Sequence, residues 1–200
     1  MIKGYYFITD SVLSRKGSVS DVENAIDAGV TAVQYRNKEN CTRIIYEEAL
    51  KLKKICLNTR FIINDHVDIA LAVDADGVHI GRKDMPYGAA RHLLGKSKII
   101  GMTVHSIGEA LEAEKKGADY LGVGPIFTTT TKRDIKQPCG TPLIREIKKA
   151  CEVPVVAIGG IKLDNAMNVI EAGADAICAI SAVITKNDVK KEIEKFQALF

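Results

Sequence analysis

SIGEALEAEKKGADYLGVG, residues 106–124, carries the decision about the fold. Ser106 to Lys116 has helical period and strong helix formers, Gly117 suits the left-handed residue that ends a helix, and Tyr120 to Val123 is a short apolar run of strand type. A helix that hands over to a strand within a few residues is one unit of a βα repeat. The hand-over recurs in variant form. Ala-Gly-Val-Thr-Ala (28–32), Ala-Asp-Gly (75–77) and Gly-Ala-Asp-Ala (173–176) each precede an apolar run, with Gly29 and Gly173 in the place of Gly117.

Working outward, eight such runs are found: Tyr5 to Thr9, Thr31 to Tyr35, Phe61 to Ile63, Gly77 to Ile80, Lys98 to Val104, Tyr120 to Val123, Pro154 to Ile158 and Ala176 to Ile180. Between them lie stretches of helical pattern such as Cys41 to Leu57 and Lys162 to Ala172. Strands so evenly apolar are buried on both faces, which is the signature of a parallel sheet covered by helices. Eight units favour a (β/α)8 TIM barrel over a doubly wound sheet, although 200 residues is near the lower limit for one. No linker, low-complexity tract or second domain is visible, so residues 1–200 read as a single TIM-barrel catalytic domain.

Composition narrows the function. The chain is 46% hydrophobic and 26% charged, with 28 basic against 25 acidic residues, a net charge of +3 and 6% aromatic content. That is an ordinary globular balance with no basic surface of the kind that binds nucleic acid. Lys115-Lys116, Lys148-Lys149 and Lys190-Lys191 sit beside glutamates on helical patterns and read as solvated faces. No apolar window reaches the roughly 18 residues of a membrane span, and the first ten residues read as a strand, not a signal. Cys41, Cys56, Cys139, Cys151 and Cys178 have neither zinc-site nor disulfide-framework spacing, so a reducing cytoplasmic setting is expected.

In a barrel of this kind the chemistry sits at the carboxyl ends of the strands. The residues placed there are strongly polar: Asp10; Gln34, Arg36 and Lys38; Asn64 and Asp65; Asp84; Thr103 and His105; the Thr128 to Thr131 loop with Lys132; Gly159 and Gly160; and Ser181. The loop after Val123 is opened by Gly122 and Gly124 and stiffened by Pro125, and it offers hydroxyl donors and a lysine, as an anion site requires. Gly159-Gly160 and Ser181, after the seventh and eighth runs, stand where such barrels commonly cup a phosphate. Arg36, Lys38 and Lys132 form a second basic set. Asp65 and Asp84 can face it as hard oxygen ligands for Mg2+, which binds through one or two carboxylates plus substrate phosphates. Asp65 also fits a helix cap, and Asp84 a plain loop residue before Pro86.

Among the histidines, His79 lies inside a strand, and His66 and His92 fall on helical patterns, so structural or solvent roles suit them. His105 alone has a mouth position and fits either a general acid–base or a helix start. No Ser-His-Asp order, Cys-His pair or dinucleotide fingerprint is present.

With those residues in hand, the chain resembles the thiamine-phosphate synthase family over nearly its full length. The matching segments are VQYRNKE (33–39), IINDHVDIALAVDADGVHIGRKDMP (62–86), GMTVHS (101–106), GADYLGVGPIFTTTTKRD (117–134), VPVVAIGGI (153–161) and GADAICAISAV (173–183). The resemblance implies joining of 4-amino-5-hydroxymethyl-2-methylpyrimidine diphosphate to 4-methyl-5-(2-phosphoethyl)thiazole, with release of diphosphate. It implies that Gln34, Arg36 and Lys38 bind the pyrimidine diphosphate with help from Asn64, and that Asp65 and Asp84 hold Mg2+. Thr103 stands where the family usually has Ser. Thr129, Thr131 and Lys132 match loop residues that contact and close over the phosphates, while Gly160, Ile180 and Ser181 match those holding the thiazole phosphate. Catalytic weight then falls on Lys132, Arg36, Lys38 and Thr103.

The family mechanism is dissociative, so charge stabilisation and water exclusion matter more than a strong base. Arg82-Lys83 depart from the family pattern and either strengthen diphosphate binding or decorate the rim. Three rival readings share the barrel: a thiazole tautomerase of the TenI type acting through His105, a non-catalytic regulator binding a thiamine precursor, and a phosphosugar isomerase. Small-molecule substrates are expected, with no nucleic-acid or membrane partner, and a homodimer is compatible with the fold class.

Overall fold

Runs as apolar as Phe61-Ile-Ile63, each residue fully buried, need cover on both faces, and the chain supplies it by returning a helix after every strand. The structure is a computed structural model that describes residues 2–129 and 137–200. Its strands are β1 (Gly4–Tyr5), β2 (Phe7–Ile8), β3 (Ala32–Tyr35), β4 (Arg60–Asn64), β5 (Gly77–Ile80), β6 (Ile99–Val104), β7 (Tyr120–Val123), β8 (Val155–Ile158) and β9 (Ala176–Cys178). The described helices are α1 (Ser18–Asp27), α2 (Thr42–Ile55), α3 (Val67–Ala72), α4 (Tyr87–Leu94), α5 (Ile107–Lys116), α6 (Gly140–Ala150), α7 (Leu163–Glu171), α8 (Ile180–Ile184) and α9 (Val189–Gln197).

All pairings are parallel, and the order runs β1-β9-β8-β7-β6-β5-β4-β3-β2. The first run is split at Tyr6. Its first half pairs with β9, Gly4 opposite Ala176, and its second with β3, Phe7 opposite Val33. The two halves are therefore one stave, and the eight runs close into the (β/α)8 barrel that the sequence predicts. Gly29, Gly117 and Gly173 all have positive φ at helix ends, as expected.

The repeated aspartate of the hand-over has a structural reason. Asp76, Asp119 and Asp175 stand just before or near the start of β5, β7 and β9. Each accepts from the backbone N–H of the first buried residue of the preceding stave: Phe61 (2.8 Å), Ile100 (2.8 Å) and Val155 (2.8 Å). Each also takes a cation from a helix: Lys53 of α2 (3.0 Å), Arg91 of α4 (2.7 Å) and Lys148 of α6 (2.9 Å). One side chain thus ties two staves and a helix together at the foot of the barrel. At the equivalent place before β3, Thr31 exchanges hydrogen bonds with the main chain of Lys3 instead.

One expected boundary shifts. The sequence predicts strand through Ile180 with Ser181 at its end, but β9 stops at Cys178 and both residues lie in α8. Cys178 pairs with Ile158, and beyond that pair Gly159 (φ 103°) and Gly160 (φ 65°) turn the neighbouring chain away. Without a partner, the apolar stretch Ile180–Ile184 takes the helical alternative that a short apolar run always leaves open. His66 likewise sits at the N-cap of α3, one residue outside it.

Candidate active site at the barrel mouth

The mouth is built from strand ends whose main chain is held before any ligand arrives. After β3, the Arg36 N–H donates to the Thr9 hydroxyl (2.8 Å), which donates back to the Arg36 carbonyl (3.1 Å). The Arg36 guanidinium meets Asp10 at 2.8 Å, and the other Asp10 oxygen accepts from the Val12 and Leu13 N–H groups, both at 3.1 Å. Asp10 is buried, so Arg36 is a positioned cation and not a free one. Gln34 is buried inside the barrel and donates to the Tyr6 hydroxyl at 3.0 Å.

Three charged residues converge beside it. Lys38 pairs with Asp65, and Asn64 donates its amide to the other Asp65 oxygen. Asp65 has φ 63°, a left-handed conformation that Asp tolerates and that is frequent where function outweighs backbone preference. The helix-cap alternative fails, because α3 has no side-chain cap bond at its start. Asp84 accepts from the Gly81 N–H at 2.7 Å and faces Asp65. Burial pushes the Asp84 carboxyl above its ordinary range; the Asp65 charge pushes the same way, and the Gly81 N–H and Lys38 oppose both. Two carboxylates held together, with Lys38 paired to one of them, offer hard oxygen donors on one side of the mouth. Among the described residues no group of three or more His, Cys, Asp or Glu side chains is placed to hold a metal ion.

The other expected residues fall as follows. Thr103, half-buried on β6, bonds to His79 Nε2 at 2.8 Å. His105 donates its backbone N–H to Glu109 (2.7 Å), and its ring is oriented by a bond between Nδ1 and the Gly124 carbonyl. Arg82 pairs with Glu109 at 3.0 Å and belongs to the rim. The Thr loop leaves the barrel over the two glycines. Phe127 N–H donates to Gly159 O (2.9 Å), and a Cβ on Gly160 would lie 2.5 Å from Thr128 O, so close approach demands glycine there. The returning chain is held by Cys139 N–H to Pro125 O (2.9 Å) and Gly140 N–H to Ile126 O (3.1 Å). Thr129 is half-buried at the loop's departure, and Thr131 and Lys132 lie outside the described residues. Gly160 lines a cleft of about 570 Å3 with Thr128, Lys162 and Asn165. Gly160 and Ile180 each lie two residues beyond the last β8–β9 pair, and exposed Ser181 follows at the start of α8. A second depression, about 430 Å3, opens near Arg60, Asp76 and Lys98; with Asp76 committed to the strand tie, it belongs to the foot of the barrel.

The sequence model of the family described as thiamine monophosphate synthase matches residues 5–183. The chain belongs to that family. A thiamine-phosphate synthase of Methanosarcina barkeri is 53% identical over 193 residues, covering 96% of this chain and 88% of the relative. One from Chloroflexus aurantiacus is 48% identical, covering 97% and 91%. The solved thiamine phosphate pyrophosphorylase of Pyrococcus furiosus superposes with a TM-score of 0.89 at 43% identity, covering 98% of this chain and 94% of that one. The tautomerase, regulator and sugar-isomerase readings gain no comparable support.

Within this thiamine monophosphate synthase barrel, Asp10 is a residue the sequence left without a role, and Tyr6, His79 and Tyr120 are three more. Only the position of Asp10 at a strand end signals it. No described helix is long and apolar enough to cross a membrane.

Proposed function

We propose that the protein joins 4-amino-5-hydroxymethyl-2-methylpyrimidine diphosphate to 4-methyl-5-(2-phosphoethyl)thiazole, giving thiamine phosphate and diphosphate. The observation that carries this reading is the convergence of Lys38, Asp65 and Asp84 beside an Arg36 already oriented by Asp10. Such a mouth suits a leaving group with several negative charges.

Asp65 and Asp84 would hold Mg2+, which when bound supplies positive charge to balance the diphosphate. Arg36 and Lys38 bind the same phosphates, and Gln34 with Asn64 supports the pyrimidine. The bond from the pyrimidine methylene to the diphosphate oxygen breaks with its electron pair going to oxygen. The thiazole nitrogen then donates its lone pair to the methylene carbon, and no proton has to move. The chain's task is therefore to stabilise charge, align the two reactants and keep water from the carbocation. Thr129, Thr131 and Lys132 suit closure over the phosphates, and Gly160, Ile180 and Ser181 suit the thiazole phosphate.

The test mixes both substrates with purified protein, with and without Mg2+, and follows both products by chromatography. Mg2+-dependent product that falls by about a hundredfold or more in Asp84→Asn and in Lys132→Ala is expected. Folded wild-type protein that makes no thiamine phosphate overturns the reading.

A further inference from the structure

Five side chains from five staves are linked end to end through the barrel interior. Gln34 on β3 donates its amide to Tyr6 Oη (3.0 Å); Tyr6 Oη meets Tyr120 Oη on β7 (2.8 Å). Tyr120 Oη meets His79 Nδ1 on β5 (2.9 Å), and His79 Nε2 meets Thr103 Oγ1 on β6 (2.8 Å). The two ends, Gln34 and Thr103, are residues assigned above to the substrate. The three in the middle have no role in that assignment.

The chain is a built feature, because two in-strand glycines make room for its rings. Gly101 stands in register between His79 and Tyr120, and a Cβ there would lie 2.1 Å from Tyr120 Cζ. Gly122 stands opposite Thr103, and a Cβ there would lie 2.8 Å from His79 Cε1. Glycine weakens a strand interior, so its presence at both positions points to what must fit beside it.

Each hydroxyl has one hydrogen and can also accept, so with Gln34 donating at one end the bonds can all run one way. In that direction Tyr6 accepts from Gln34 and gives its own hydrogen to Tyr120. Tyr120, accepting from Tyr6, donates to His79 Nδ1, and the neutral imidazole then carries its hydrogen on Nε2 and donates to Thr103. Thr103, already accepting, has its hydrogen left to give. Gln34, whose amide nitrogen is engaged, has its carbonyl oxygen left to accept. Burial drives both phenols far above their ordinary range, which keeps both un-ionised.

We propose that Tyr6, Tyr120 and His79 are positioning residues, a relay that fixes Thr103 as a hydrogen-bond donor and Gln34 as an acceptor toward the substrate. This rests on the synthase reading of the mouth. An aminopyrimidine diphosphate is the complement of such a pair, since it offers N–H hydrogens at the ring and oxygen acceptors on the phosphates. Reversing the preference would require every bond in the chain to reverse with it, so the barrel interior acts as a polarity lock on ligand chemistry.

The experiment combines two readouts. Nitrogen-15 NMR of the histidines in the whole protein should find His79 with its hydrogen on Nε2 in the wild type, and Tyr120→Phe, which keeps the ring, should abolish that single tautomer. In steady-state assays, Tyr120→Phe should lower kcat about tenfold, with KM for the thiazole phosphate unmoved. In a Thr103→Ala background the same change should cost less than about twofold, because the hydroxyl it orients is gone. Tyr6→Phe should follow the same pattern, and Thr103→Ser should preserve the coupling. A His79 hydrogen on Nδ1 in the wild type, or an equal cost of Tyr120→Phe in both backgrounds, overturns the relay. Because the tautomer is read without turnover, the relay can fail or stand apart from the synthase reading, which falls only if the wild type makes no thiamine phosphate.

Discussion

Gly101→Ala should be among the most damaging single-methyl additions this barrel can receive. The new Cβ would lie 2.1 Å from Tyr120 Cζ, 2.3 Å from Cε1 and 2.5 Å from Oη, so the ring must retreat by roughly 1.5 Å to reach ordinary contact. It has nowhere easy to go. Tyr120 is 1% exposed, its ring centroid is 5.7 Å from that of Tyr6 and 5.4 Å from that of His79, and its hydroxyl is bonded to both. Overpacking costs about 1–3 kcal/mol, and two buried hydrogen bonds displaced with the ring add about 0.5–1.5 kcal/mol each. The expected loss is on the order of 3 kcal/mol, or about 6–12 °C in melting temperature for a chain of this length. Urea unfolding followed by circular dichroism measures it. Gly88→Ala is the control: Gly88 lies in α4 with nothing within 4 Å of its added Cβ, and the change should gain about 0.5–1 kcal/mol. If Gly101→Ala falls within about 0.5 kcal/mol of the wild type, the packing argument and the room it assigns to the relay are wrong.

Asp10→Ala should destabilise by about 3 kcal/mol, because it strands a largely buried Arg36 and two N–H groups, whereas Asp10→Asn keeps one acceptor and should cost about half as much; chemical denaturation separates them. Asp21 is buried with one carboxyl oxygen lacking a hydrogen-bond partner, and burial pushes its pKa above the ordinary 3.8 against the pull of Ser14 and Lys16. The folded state therefore holds this proton more tightly than the unfolded state, and the stability it contributes below pH 3.8 is lost as pH rises through the folded value. Asp21→Asn should accordingly raise the melting temperature at pH 7 and give no gain at pH 3, and a gain of equal size at both would refute the assignment. Asp119→Ala removes both the Ile100 N–H acceptor and the Arg91 partner, and a loss of about 2 kcal/mol by urea denaturation is expected.

The sequence made the barrel legible because each strand is a self-contained apolar run and four of the hand-overs, before every second run, repeat a glycine with an aspartate or threonine. It also placed the mouth, since in this fold the residues just after each run can only gather at one end. What it hid are facts of register between distant staves. That Gly101 lies between His79 and Tyr120 depends on how β5, β6 and β7 slide past one another, and no local pattern records that. His79 thus read as an ordinary strand histidine. Alternation along β6 does put Thr103 and Gly101 on one face, and a glycine two residues from a polar side chain inside a strand is the signal that was there to be read. The Asp10–Arg36 pair joins the ends of two neighbouring staves far apart in sequence, and the end of β9 is ambiguous because Ile180–Ile184 suits helix as well as strand.

The two ends of the barrel use the same residue type to opposite purposes. At the foot, Asp76, Asp119 and Asp175 each receive a backbone N–H and a cation, so their charge is answered locally and their contribution is to hold staves and helices together. At the mouth, Asp65 and Asp84 face each other, Lys38, 46% exposed, pairs with Asp65 among the described residues, and burial together with the Asp65 charge raises the pKa of Asp84. Folding alone gives no reason to place two carboxylates so. Two facing carboxylates with one paired lysine among the described residues, at the strand ends of the barrel, are the electrostatic feature on which the proposed phosphate and Mg2+ roles rest.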